Sequence, residues 1–200
     1  MLLTVACGIC QPVAAQITIR SMAIGPASPG CRAAEAPAEG LSCEGPDGWQ
    51  LAIGYPAVGA TLAFRRDGRP VAVVGEHWFP VEDVGDRRQP ALWVMRGQGG
   101  RLAARSLILP VAVLHPDDRR YLISEGRPPA RPRRSRVFLV ILLSDRDVCL
   151  AAVADRSSGR QTLLAARRAA ATIDACPPRP LVIGRASPTL ASILAEGGAD

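Results

Sequence analysis

Six cysteines, two histidines and one run of arginines are the side chains here whose types suit chemistry. Cys149 and Cys176 bracket a strand, a polar turn and a helix. Cys31 and Cys43 bracket a loop rich in Pro, Gly and Ala, and Cys7-Gly8-Ile9-Cys10 has the C-x-x-C form. A catalytic thiol needs a base beside it, and neither histidine is close in sequence. A redox C-x-x-C follows a strand and opens a helix. This one stands in the first ten residues with Pro12 close behind. A zinc site needs a second close pair, and eleven residues separate Cys31 from Cys43. Stapling is the better fit. From Cys149 to the strand's end is ~17 Å, and the returning helix carries Cys176 back ~24 Å. A helix folded over its own strand brings the two thiols to one level. The expectation is therefore two disulfides, Cys31–Cys43 and Cys149–Cys176, with a cytosolic thiol or zinc protein using Cys7 and Cys10 as an alternative.

The histidines offer a second alternative. His77 lies in Gly75-Glu76-His77-Trp78-Phe79 and His115 in His115-Pro116-Asp117-Asp118. Each stands by a carboxylate, as a general base with its orienting partner would. A periplasmic, hydrolase-like enzyme would use His77 with Glu76, or His115 with Asp117. No H-x-x-x-H or H-x-H spacing is present, nor a G-x-S-x-G elbow or P-loop. The expectation is loop histidines with solvated acidic neighbours, no catalytic or metal-binding residue, and no cofactor.

All 24 basic residues are Arg, and the formal net charge is +6. With Lys absent and Ala, Gly and Pro abundant, much of that excess reflects base composition of the coding sequence. Aromatics are only 4%, so basic residues interleaved with stacking platforms, the mark of a nucleic-acid binder, are missing; no nucleic-acid partner is expected. Composition does not explain Arg127-Pro128-Pro129-Ala130-Arg131-Pro132-Arg133-Arg134-Ser135-Arg136, where arginine clusters in one stretch. Such a cluster suits anionic lipid head groups or polysaccharide. Arg131, Arg133, Arg134 and Arg136 are the expected contacts.

Several elements must position these residues. Short strands are predicted at Trp49 to Tyr55, Ala60 to Phe64 and Val71 to Val74, with Asp67-Gly68 marking a turn. Ala91 to Arg96 and Leu102 to Leu109 form a hairpin across Gly97 to Gly100, and Pro110 is expected to break the ladder or mark an edge. Residues 125–136 read as a loop. Val137 to Leu143 is apolar at every position, so both its faces must be covered. Ser144 to Asp147 turn the chain into a strand from Val148 to Ala154. Ser158 and Gln161 are spaced as a capping box, and Leu163, Ala166, Ala170 and Ile173 then share one helix face. Pro177 and Pro178 stop that helix.

The first 15 residues are apolar and end in Val13-Ala14-Ala15, a small-residue cleavage pattern. A truncated signal peptide is expected over 1–15. Cleavage would remove Cys7 and Cys10 and leave four cysteines. That stretch is too short for a membrane span, so no transmembrane segment is expected.

The order of these features resembles an uncharacterised family of small secreted, disulfide-containing proteobacterial proteins. The likeness spans about residues 31–176. It rests on Cys43-Glu44-Gly45-Pro46 before Gly48-Trp49, the strand pair over 92–109, the apolar strand from Val137, Cys149 with its following alanines, and the helix ending at Cys176. The resemblance implies export and disulfides, and no reaction.

The sequence thus predicts an α+β fold: an antiparallel sheet, one C-terminal helix packed on a face, and two disulfides. One globular domain is expected over 16–176, with a tail over 177–200. The expected function is that of an exported, periplasmic or secreted, non-enzymatic envelope protein that binds a partner or an anionic surface.

Overall fold

The computed structural model describes residues 16–33, 40–55, 60–74, 81–84, 89–98, 101–127, 129–144, 147–156 and 160–196. Its elements in chain order are β1 (Ile17–Met22), β2 (Cys31–Ala33), β3 (Gly40–Glu44), β4 (Trp49–Gly54), β5 (Thr61–Arg66), β6 (Arg69–Val74), β7 (Val81–Val84), β8 (Ala91–Gln98) and β9 (Arg101–Leu114). Then follow α1 (Pro116–Glu125), β10 (Arg134–Leu143), β11 (Val148–Asp155), α2 (Arg160–Thr172), β12 (Leu181–Ile183) and α3 (Pro188–Glu196).

Strand alternation explains the layers. Along β10, Val137, Leu139, Ile141 and Leu143 point one way, and Phe138 and Val140 the other. All are buried, so a single sheet with one helix cannot satisfy them. The structure supplies two covers. A five-stranded antiparallel sheet, β2-β3-β4-β5-β6, packs on one face of a seven-stranded sheet ordered β1-β8-β9-β10-β11-β12, with β7 also pairing β9. Helix α2 packs on the opposite face. The expected α+β fold with one sheet and one helix is thereby overturned. The protein is mostly β, with two sheets and three described helices. The strand from Trp49 and its neighbours build their own sheet, because their inward residues Trp49, Leu51, Ile53, Leu62 and Phe64 are what covers the first.

Pro110 was expected to break the ladder or mark an edge; β9 runs through it and stays paired with β10, and the ladder is interrupted on the other side only. On one side β9 pairs β8 as far as Ile108, and then β7 from Val111. Pro110 lies in that change of neighbour, where its missing N–H costs no ladder bond. The irregular stretch after it contains helix α1, capped by His115, opened by Pro116, Asp117 and Asp118, and closed by left-handed Gly126 at φ 66°. The 177–200 stretch is more than a tail. Its strand β12 pairs parallel to β11, with α2 as the crossover, and α3 buries Leu190 and Ile193 in the core between the sheets.

Both expected disulfides are present. Cys31 and Cys43 are a register pair between β2 and β3, and Cys149–Cys176 ties β11 to the chain just past α2.

Candidate functional site

Two of the four expected arginines are committed to carboxylates. Arg133 Nη2 donates to Asp118 Oδ1 at 2.8 Å and to Asp117 Oδ2 at 3.2 Å, and its backbone N–H donates to Asp118 Oδ2 at 2.6 Å. Hydrogen bonding by Arg120, then by Arg133, holds Asp117 below its ordinary carboxylate pKa; Arg133 does the same for Asp118. Arg134 Nε donates to both oxygens of Glu82 on β7, at 2.8 and 2.9 Å. These contacts fix the start of β10 against α1 and β7. Their guanidinium groups are engaged within the fold, Arg133 with α1 and Arg134 with β7. Arg131 is exposed on the segment leading into β10.

The His115–Asp117 pair is local. His115 Nδ1 accepts the Asp117 backbone N–H at 3.3 Å and caps α1, and the Asp117 carboxylate lies 3.5 Å from the same nitrogen. That carboxylate already receives two arginines, and the pair lines neither cavity described below. Among the described residues, no group of three or more His, Cys, Asp or Glu side chains is placed to hold a metal ion. His77 and Glu76, and Cys7 and Cys10, lie outside the described residues.

Arg136 stands elsewhere. It lines a cleft of about 1070 Å³ with Arg156, Tyr55 and Asp83. Strand register explains the meeting of the two arginines. Val137 pairs with Asp155; Arg136 precedes the first on β10, and Arg156 follows the second just past the end of β11. The Arg156 guanidinium lies 5.3 Å from the centre of the Phe138 ring, an arrangement that fixes its plane. From the five-stranded sheet, Tyr55 follows β4 into the cleft. Burial, then the Asp83 carboxylate, raise the Tyr55 pKa, so its hydroxyl is a neutral donor. The Asp83 Oδ1 accepts from the Val84 backbone N–H at 2.8 Å. The other walls are largely apolar: Ile24 and Pro26 of the loop after β1, Leu41 of β3, Val84 of β7 and Val111 of β9.

A second cavity, about 440 Å³, lies under the C-terminal end of α2. It carries both signs: Arg96 and Arg105, Asp147 and Asp174. Arg96 binds Asp174 through Nη1 and the Ala171 carbonyl through Nη2 at 2.9 Å. Its charge is thus used to dock the helix.

Arg156 was not among the expected contacts. It stands alone in sequence, outside the arginine run, and only the β10–β11 register brings it beside Arg136. No protein-family model, curated protein or solved structure matches the chain.

Proposed function

We propose that this is an exported, non-enzymatic envelope protein that binds an anionic partner or surface through Arg136 and Arg156. The observation that carries the reading is their convergence, from neighbouring strand ends, on one cleft. Two guanidinium groups lining one cleft form a set of donors suited to phosphate or carboxylate oxygens. Two disulfides suit an oxidising compartment. No described helix is long and apolar enough to cross a membrane. The family resemblance over 31–176 points the same way.

The test uses vesicles of phosphatidylcholine with and without phosphatidylglycerol. The protein is expected to sediment with the anionic vesicles and to leave them as salt is raised. The variant Arg136→Ser/Arg156→Ser should lose that binding while keeping its circular dichroism spectrum. Arg133→Ser/Arg134→Ser should keep the binding, because those groups serve α1 and β7. Equal binding by wild type and Arg136→Ser/Arg156→Ser would overturn the reading.

A further inference from the structure

We infer that Cys149–Cys176 is a thiol-exchange site entered at the Cys176 sulfur, and that Asp147 selects what enters: cationic and neutral thiols are favoured, and thiols carrying a further negative charge are disfavoured.

Three observations carry it. The first is access. Cys176 is exposed, and Cys149 on β11 is half-buried. Cys176 also lines the 440 Å³ cavity beneath the end of α2, which leaves room for a small thiol beside it. Cys43 of the other disulfide is fully buried. The second is charge. Asp147 Oδ2 lies 3.6 Å from Cys176 Sγ. Arg96 and Arg105 line the same cavity, but Arg96 pairs with Asp174, and among the described residues no arginine pairs with Asp147. The third is restraint. The Asp147 backbone N–H donates to Ser144 Oγ at 2.9 Å, and its carbonyl accepts from the Ser144 N–H and hydroxyl, each at 2.9 Å. That turn holds the Asp147 backbone beside the disulfide, at the entry to β11.

The species that attacks a disulfide is a thiolate. The incoming thiolate bonds to Cys176 Sγ, the sulfur–sulfur bond breaks, and its electron pair leaves on Cys149, which takes a proton from water. A second thiolate then attacks the incoming group's sulfur in the mixed disulfide. That releases the oxidised thiol pair and the Cys176 thiolate, so two thiols are oxidised as one disulfide is reduced. Two like unit charges about 4 Å apart repel enough, even in water, to slow the approach about fivefold. A sulfonate on the attacking thiol adds to that repulsion, and an ammonium offsets it. Once Cys149 is released, the end of α2 keeps only its Arg96 and Ser106 contacts above the cavity.

The oxidised full chain is treated with cysteamine, 2-mercaptoethanol or 2-mercaptoethanesulfonate, stopped with acid and read by peptide mass spectrometry. Each rate is divided by that thiol's rate with neutral hydroxyethyl disulfide, which removes differences in thiol pKa and nucleophilicity. Cysteamine is expected to exceed mercaptoethanesulfonate about fivefold, with the first adduct on Cys176. Raising the salt to about 1 M should shrink that ratio. Asp147→Asn should bring it below about twofold, with the largest gain for mercaptoethanesulfonate. A change in packing alone would instead speed all three thiols equally, and that result would overturn the selection. So would a wild-type ratio near one, or one that salt leaves unchanged, and both are read without any variant. A first adduct on Cys149 would overturn the point of entry.

Discussion

The two faces of the seven-stranded sheet are covered in different ways. On one, large side chains interlock: Trp49, Leu51, Ile53, Leu62 and Phe64 of the second sheet meet Leu107, Leu109, Leu139 and Ile141. On the other, α2 presents Ala166 and Ala170 to Ala152, Ala154, Ile108 and Phe138. Alanine lets the helix approach closely but removes little apolar area from water. Three specific ties make up the difference at the helix's C-terminal end. They are Cys149–Cys176, Arg96 on Asp174 and Ala171, and the buried Ser106 hydroxyl on the Ala170 carbonyl at 2.8 Å. One face is held by bulk, the other by fastenings.

Truncation of the bulky face should have the largest effect. Phe64 is fully buried, and Phe64→Ala should lower stability by about 3–5 kcal/mol through lost transfer energy and the cavity left behind. Urea unfolding of the oxidised protein measures it. A loss below about 1 kcal/mol would mean that the second sheet is not part of the cooperative core.

Removing Cys149–Cys176 comes next. The bond closes a 27-residue separation, for which the chain-entropy argument gives about 3.5 kcal/mol. Hydrogen exchange tells where the loss falls. In Cys149→Ser/Cys176→Ser the amides of α2 should exchange faster, while those of β3, β4 and β5 keep their protection. Equal loosening on both faces would break the comparison. Cys176 is exposed whereas Cys43 is fully buried, so mild reductant should open Cys149–Cys176 first.

How much of this was legible depended on whether the signal was local. The β10 run and the alanine face of α2 are short-range patterns, and they placed β10, β11 and α2; the expected cap residue Ser158 lies outside the described residues. The cysteine pairing was legible because strand and helix rises fix where Cys176 returns. The division into two sheets was not. Alternation shows that Trp49, Leu51 and Ile53 share a face, but not which sheet that face meets. Helix α1 was legible and missed. Pro116, Asp117 and Asp118 ahead of Gly126 are start and stop signals, but Asp117 beside His115 also has the form of a base with its orienting carboxylate. The arginine run misled for a physical reason. Adjacency in sequence does not make a patch, since Arg133 meets α1, Arg134 meets Glu82, and Arg136 lines a cleft with Arg156, which lies just past β11.

The close approach of α2 can be tested by adding volume. Ala166 is fully buried, and Ala166→Leu should cost about 2 kcal/mol by overpacking. The same enlargement at Ala165, partly exposed on the next helical position, should cost almost nothing. Matched thermal melts of the two variants check this. If Ala166→Leu is tolerated, the helix is not seated by its small residues and the fastenings carry more than supposed.

The smallest effect belongs to Ser106. Ala170 is among the last four residues of α2 (Arg160–Thr172), whose carbonyls lack a partner within the helix. The Ser106 hydroxyl fills that role for Ala170, and both residues are buried. Ser106→Ala leaves the carbonyl bare, which in a dry core costs up to about 3 kcal/mol. Here the site is not dry, because Ala170 also lines the 440 Å³ cavity beneath the helix end. Water entering there can replace the hydroxyl, so the loss should be close to about 1 kcal/mol. Combined with Cys149→Ser/Cys176→Ser, it should exceed the sum of the separate losses, since either tie alone still seats the same helix end. Strict additivity in that double-mutant cycle would show that the fastenings act independently.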